Sequence, residues 1–323
     1  MAPNLKTISV EELAAVPAPP YLIEGFLRKH TITMLSSEPH TGKTMMMIDM
    51  LLCMEQGIKL FNTFDVVERS SSLFIGRDSP KWDIAGQIRK LSLGHGIQTS
   101  DLAMFDSRFI TRKDARVTIF DAGFLDLLKE MQQEHGIKNI FFDTQRRVHN
   151  ANENDSGEMG AVMEVLERLV DDHGFTIIFS THTSKPMGVT RSTNYSARGS
   201  TVISGSVDFH YSMSLNSKEQ IVLNGVSKRR GESRGKGNML LEMKDLPGGG
   251  LQILPVESTA ASVPLSEKIM QALALKPDGM SAPELSQATG ISYWTLQKLL
   301  TQLSVAGSIK RLKRGVWALS VSS

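Results

Sequence analysis

Thr31-Ile32-Thr33-Met34-Leu35 runs into Ser36-Ser37-Glu38-Pro39-His40-Thr41-Gly42-Lys43-Thr44, and Met45-Met46-Met47 follows. The first five residues alternate β-branched and apolar types and predict a buried strand, whereas the stretch from about Lys43 to Gln56 predicts a helix. The turn between them approaches the phosphate-loop spacing G-x-x-x-x-G-K-[S/T], with Ser37 where the first glycine is usual. A loop of that length, Ser37, Glu38, Pro39, His40, Thr41 and Gly42, can wrap its backbone N–H groups, all but that of Pro39, which has none, around phosphates. The helix that follows adds roughly half a positive charge at its start. Lys43 would then reach the β- and γ-phosphates of ATP, and the Thr44 hydroxyl would hold Mg2+. If position 37 requires a positive φ, a serine there costs about 1 kcal/mol. The methionines after the loop read as helix packing.

The same alternation continues outward. SLFIG (72–76) leads into a helix over about 82–93, VTIF (117–120) into FLDLLKEMQQEHG, and NIFFD (139–143) into a polar loop and the helix EMGAVMEVLERLVDDHG; FTIIFS (175–180) follows. Short apolar strands separated by helices predict an α/β fold around a mostly parallel sheet. After Ser204 four strand-like runs follow one another, which predicts an antiparallel extension. Asn139 to Phe142 is a buried-strand pattern that delivers Asp143 to the strand's C-terminal end, where a carboxylate would hold Mg2+ through water.

Composition bounds the remainder. The chain has 323 residues, a hydrophobic fraction of 41% and a formal charge of +2, which suits a large domain plus a small one and excludes disordered or collagen-like classes. One cysteine, Cys53, excludes a disulfide framework and a cysteine-built zinc site, and predicts a cytoplasmic protein. No apolar run approaches the ~18 residues of a membrane span, and Glu and Pro interrupt the N-terminal stretch where a signal peptide would be apolar. The charge is uneven. From Leu265 to Ser323 there are seven basic residues and three acids, a balance of +4, which leaves the first 264 residues at −2. The expected organisation is an N-terminal arm (1–20), an ATP-binding core (21–256), a Ser/Thr/Ala/Pro linker (257–264) and a basic C-terminal domain (265–323).

The core resembles the RecA-like AAA family typified by the RepA replicative helicases of plasmids, and more distantly DnaB helicases and RecA. The resemblance rests on YLIEGF (21–26), the phosphate loop, Glu55-Gln56-Gly57, Asp143 with Asn152 to Asp155 beyond it, Thr181-His182-Thr183-Ser184-Lys185, Ala197-Arg198-Gly199-Ser200 and Lys228-Arg229-Arg230-Gly231. It implies a RecA-like fold, ATP and Mg2+ as cofactors, and a homo-oligomeric ring, hexameric in the family, around single-stranded DNA. It further implies that His182 senses the nucleotide and that the polar segment after it, with Lys185 and Arg191, grips DNA. Arg230 would be a finger inserted into a neighbouring subunit's ATP site, with Lys228 as its partner. The family places a Glu-Asp pair after the second strand, where this chain reads Gly76-Arg77-Asp78. Either Asp78 acts as the base, or Glu38 substitutes, or hydrolysis is slow.

From Ser266 the pattern is a helix, a second helix opened by the capping box Ser281-Ala282-Pro283-Glu284, a third helix from Tyr293, and two β-like runs meeting at Arg314-Gly315. This segment resembles a winged helix-turn-helix. The third helix would offer Tyr293, Thr295, Gln297 and Lys298 to double-stranded DNA, and the wing Lys310, Arg311, Lys313 and Arg314. A protein partner is the other reading of such a fold. Two functions follow: a ring-forming DNA motor, that is, a helicase of a plasmid, phage or other mobile element; or an ATP-binding regulatory switch on DNA that hydrolyses poorly.

Overall fold

A short helix, α1 (Val10–Ala14), opens on a Ser9–Glu12 capping box. It precedes the antiparallel ribbon β1 (Tyr21–Ile23) and β2 (Leu27–Arg28). The computed structural model describes residues 7–111, 118–153, 155–182, 201–227, 239–256, 265–276, 278–289, 291, 293–305, 307–313 and 315–320. Two compact units divide the chain, Met1–Val256 and Glu257–Ser323.

In the first unit the main sheet contains β3 (Ile32–Ser37), β4 (Ser71–Gly76), β5 (Arg108–Thr111), β6 (Ile137–Asp143), β7 (Thr176–His182), β8 (Phe209–Leu215), β9 (Ile221–Ser227), β10 (Met239–Asp245) and β11 (Leu251–Pro255). Their order across the sheet is β11-β10-β9-β8-β3-β7-β6-β4-β5. From β8 to β5 every pair is parallel, and from β8 to β11 every pair is antiparallel. Helices α2 (Lys43–Gln56) and α3 (Lys81–Gly94) contribute to one core, with Met46, Met47, Leu51, Ile84 and Leu91. Helices α4 (Ala122–His135), α5 (Ser156–Asp171) and α6 (Thr201–Ser206) contribute to a second, with Phe124, Leu128, Val162, Leu166 and Ile203. Parallel strands buried between two such layers need continuous apolar runs, and β6 and β7 have them: Ile140, Phe141, Phe142, Ile177, Ile178 and Phe179 are all buried.

One expected strand is absent. Residues 118–120 of VTIF form a turn, in which the Thr118 N–H donates to the Asp121 carboxylate just before α4. The strand preceding α4 is instead β5, whose Arg-Phe-Ile-Thr is half-buried at the sheet edge and too short and polar to signal itself.

The second unit holds α7 (Leu265–Ala274), β12 (Met280–Ser281), α8 (Ala282–Thr289), α9 (Tyr293–Val305), β13 (Ile309–Lys313) and β14 (Val316–Leu319). Its strands form an antiparallel sheet in the order β12-β14-β13. Its core is Ile269, Leu273, Leu285, Ile291, Leu296, Leu300 and Ile309. Helix α8 opens on the Ser281–Glu284 capping box, and Lys276 donates to the same Glu284 carboxylate and, with Ser281, holds it down at about 2. Strand β12 is too short to stand out in the sequence. No helix among the described residues is long and apolar enough to cross a membrane.

Candidate nucleotide-binding site

Strand register builds the site. Ser37 ends β3 opposite His182 of β7. Asp143 ends β6 opposite Gly76 of β4, so Arg77 and Asp78 leave the sheet beside it. The phosphate loop, both strand-end acids and His182 thus meet along one sheet edge.

Within the loop, positive φ falls at His40 (63°) and Gly42 (91°). Ser37 is not strained: it lies in the extended strand, so the cost that a positive φ would impose does not arise. Its hydroxyl donates to the Glu38 carbonyl at 2.7 Å and accepts from Lys43 Nζ at 2.7 Å. The Lys43 ammonium also donates to the Glu38 carbonyl at 3.0 Å and lies 3.3 Å from His182 Nδ1. Burial draws this ammonium down to about 8, against the opposing pull of Asp143 and Asp78. Glu38, Pro39 and His40 are exposed, while the Thr41 hydroxyl folds back onto the Glu38 carbonyl at 2.8 Å.

Thr44 Oγ1 donates to Asp143 Oδ2 at 2.6 Å, and Ser180 Oγ donates to Asp143 Oδ1 at 2.6 Å. Asp143 is 2% exposed, and burial pushes its carboxyl up, opposed by the Ser180 and Thr44 hydrogen bonds. Ser180 is a positioning residue that the sequence reading missed; its signal was its place at the end of FTIIFS, on the strand paired with NIFFD.

Asp78 is close to this cluster but engaged. Its Oδ1 takes the Arg147 Nε at 2.5 Å and its Oδ2 accepts from the Thr144 hydroxyl at 3.0 Å. Arg77, where the family carries glutamate, donates from its side chain to the Arg147 carbonyl at 2.8 Å and from its backbone to the Asp143 carbonyl. Two arginines therefore brace the 145–147 turn, and the Arg147 guanidinium competes with water for the Asp78 carboxylate. Beyond Asp143, a small cleft is lined by Thr144, Arg146, Glu153, Thr181 and His182. Near it, Gln145 and His149 are buried and paired at 2.9 Å, with Gln145 Oε1 left unpartnered. The Ala151 N–H donates to His149 Nδ1 at 3.1 Å.

These residues fit a nucleoside triphosphate with Mg2+. Helix α2 starts at Gly42 with no side-chain cap and no acid in its first turn, so its first N–H groups and positive end are open to an anion. Lys43 supplies a cation there, while Thr44 and Asp143 supply adjacent oxygens of the hard type that Mg2+ prefers. When bound, the metal would neutralise charge on the phosphates; Thr44 would hold it directly and Asp143 through water.

Of the other candidates, Lys185, Arg191, Lys228, Arg230 and Arg314 lie outside the described residues. Tyr293, Thr295 and Lys298 lie on α9 with side chains outside the description, and Gln297 is half-buried there. Lys310, Arg311 and Lys313 are exposed on β13, with the Arg311 guanidinium 5.6 Å from the Trp317 ring.

No curated protein matches the chain in sequence. Among solved structures, a KaiC-like protein from the hyperthermophilic archaeon Pyrococcus horikoshii OT3 is similar, at 14% identity over 73% of this chain and 96% of that one, with a TM-score of 0.47. A family model described as an AAA domain matches residues 2–188, more than half of the sequence. With a phosphate loop on a mostly parallel sheet and Asp143 two strands away, the chain belongs to the AAA domain family and has the RecA-like fold of its nucleotide-binding P-loop ATPases.

Proposed function

We propose that this protein is an ATP-driven, ring-forming DNA motor of the replicative-helicase type, serving a plasmid, phage or other mobile element. The observation that carries this reading is the contact between Lys43 and His182 at 3.3 Å. It links the group that meets the γ-phosphate to the residue that precedes the polar segment containing Lys185 and Arg191. On this reading that segment grips single-stranded DNA in a ring channel, and the exposed Lys310, Arg311 and Lys313 of the second unit add further DNA contacts. Arg230 would complete the neighbouring subunit's site, with Lys228 beside it. The second unit, with three helices and a basic antiparallel hairpin, is read as a winged helix that finds double-stranded DNA or a protein partner.

The test is the ATPase rate with and without single-stranded DNA, for wild type and Lys43→Ala, beside a strand-displacement assay. DNA-stimulated hydrolysis with unwinding, both lost in Lys43→Ala, supports the motor. A second reading, a nucleotide-switched regulator on DNA, is favoured by the engagement of Asp78 with Arg147 and Thr144. Tight ATP binding without turnover would sink the motor in favour of that switch.

A further inference from the structure

Helix α2 carries a second polar cluster further along its length. Asp49 and Cys53, one turn apart, face His95 at the end of α3, and one potential ligand atom from each lies within 4.8 Å of the others. His95 Nε2 is 2.6 Å from Asp49 Oδ1 and 3.8 Å from Cys53 Sγ. Asp49 and Cys53 are fully buried, and the second oxygen of Asp49, Oδ2, has no hydrogen-bond partner. We propose that Asp49, Cys53 and His95 form a binding site for a divalent transition metal ion, Zn2+ by its chemistry, that ties α2 to the end of α3.

Three observations carry this. The single cysteine rules out a site built from several cysteines but not a mixed one, and this donor set of one carboxylate, one thiol and one imidazole suits Zn2+ and excludes Mg2+ and Ca2+, whose ligands are oxygens. Charge balances without water: a dication with one carboxylate, one thiolate and a neutral imidazole leaves no net charge in a buried site. Without a metal the same cluster is poorly satisfied. Asp49 Oδ2 is buried with no hydrogen-bond partner, and Cys53 Sγ has only long contacts, 3.8 Å to His95 Nε2 and 3.9 Å to the Lys59 carbonyl. Binding releases the thiol proton to solvent as the S–metal bond forms.

The framework is fixed. A Cβ on Gly94 would meet the Leu251 carbonyl at 1.9 Å, and Gln252 Nε2 donates to the Gly94 carbonyl at 2.6 Å, so the segment carrying His95 is pinned to β11. Bonds of about 2.0–2.2 Å to nitrogen and oxygen in a tetrahedral site separate those ligands by roughly 3.3 Å. The His95–Asp49 contact would have to open by about 0.7 Å, within the reach of a side-chain rotation. His95, whose side chain is 6% exposed, is the side from which the ion enters. Three protein ligands leave one position for water or for the Lys59 carbonyl, which lies 3.9 Å from Sγ.

The full-length protein, stripped with chelator, should take up one equivalent of Co2+ with a thiolate-to-cobalt charge-transfer band in the near ultraviolet. That band should persist in Thr44→Ala, which removes the oxygen ligand of the phosphate-loop site, and vanish in Cys53→Ser. Zn2+ should displace Co2+ and raise the melting temperature of wild type. His95→Gln should weaken Zn2+ binding by at least about 100-fold. Absence of the charge-transfer band in wild type at stoichiometric Co2+ overturns the site, whether or not the variants fold. Equal thermal responses of wild type and Cys53→Ser to Zn2+ overturn it as well, leaving a buried Asp–His pair beside an inert thiol.

Discussion

Helix α2 holds ionisable groups in two places and treats them in opposite ways. At its start, Lys43 is ringed by oxygens from Ser37 and Glu38 and lies in the field of Asp143 and Asp78. Every one of those contacts can be exchanged for a phosphate oxygen arriving from solvent. One and more turns further on, Asp49 and Cys53 are closed off, with His95 as their partner from another helix. The first place holds a buried cation, which gains counter-charge when an anion binds. The second is sealed and gains only by taking in a compact cation. A helix that ends one core and starts a catalytic edge can thus serve two ligands of opposite charge.

The largest test of the contrast is Lys43→Ala. Removing this cation should lower ATP turnover by on the order of 10³-fold, about 4 kcal/mol of transition-state stabilisation. The unliganded variant should melt no lower than wild type, because a buried ammonium is lost along with its hydrogen bonds. Steady-state ATPase rates and calorimetric melts check both halves. A variant that melts well below wild type would show that Lys43 supports the fold and is not held in readiness.

Next is Asp49→Ala in metal-free protein. It leaves His95 beside a cavity with its ring nitrogen unpaired, and should cost about 2–3 kcal/mol of stability, read from chemical denaturation. The ATPase rate per folded molecule should change little. A loss of activity without a loss of stability would mean that the two ends of α2 are not independent.

What was legible in the sequence follows the same division. The loop from Ser37 to Thr44 is contiguous and Asp143 closes an apolar run, so spacing alone located these two, whereas Asp78 and His182 came from the family resemblance. Ser180 escaped notice because its bond to Asp143 depends on strand register, which pairs β6 with β7 and is not printed in either segment. Asp78 was visible as a carboxylate, yet its capture by Arg147, 69 residues on, was not. His95 lies 46 residues from Asp49, and nothing in its neighbourhood announces a partner. The short edge strand β5 was hidden because four half-buried residues carry too weak a period, while VTIF looked like a strand and is cut short by the turn that Asp121 closes. Local patterns encode elements and loops; pairings between elements emerge only when the sheet assembles.

A third test uses pH. Lys43 is drawn down to about 8 in the unliganded site, and phosphates would return it towards the ordinary lysine range. Below pH 8 the ammonium is present in both forms and affinity is flat. Above it the free site holds a neutral amine, so binding must take up a proton and weakens as pH rises. From pH 7 to 9 the affinity for ATP should fall by about 10-fold, and titration calorimetry in buffers of different ionisation enthalpy should register the proton. The linked stability effect has the matching sign: burial of the ammonium destabilises the unliganded protein fully below pH 8 and fades as pH climbs towards 10.5, the ordinary lysine value. Lys43→Met should therefore melt above wild type at pH 7, with the gap closing by pH 10. Cluster titration around Asp49 would not produce this pattern, because it leaves the loop's affinity untouched.

The smallest expected effect belongs to Ser37→Gly, which restores the residue usual at that place in the loop. If serine were a defect, the glycine would raise stability and turnover. The structure argues the reverse. Ser37 sits in an extended strand, not in the left-handed region, so glycine relieves no strain. It would remove the hydroxyl that accepts from Lys43 at 2.7 Å and would loosen the last residue of β3. A loss of about 0.5–1 kcal/mol in stability is expected from the greater freedom of the unfolded glycine. Turnover should fall only a few-fold, since Lys43 keeps the Glu38 carbonyl and its position beside His182. A gain in ATPase rate would instead show that the Ser37–Lys43 bond competes with the phosphates, making the serine a brake on the open end of α2.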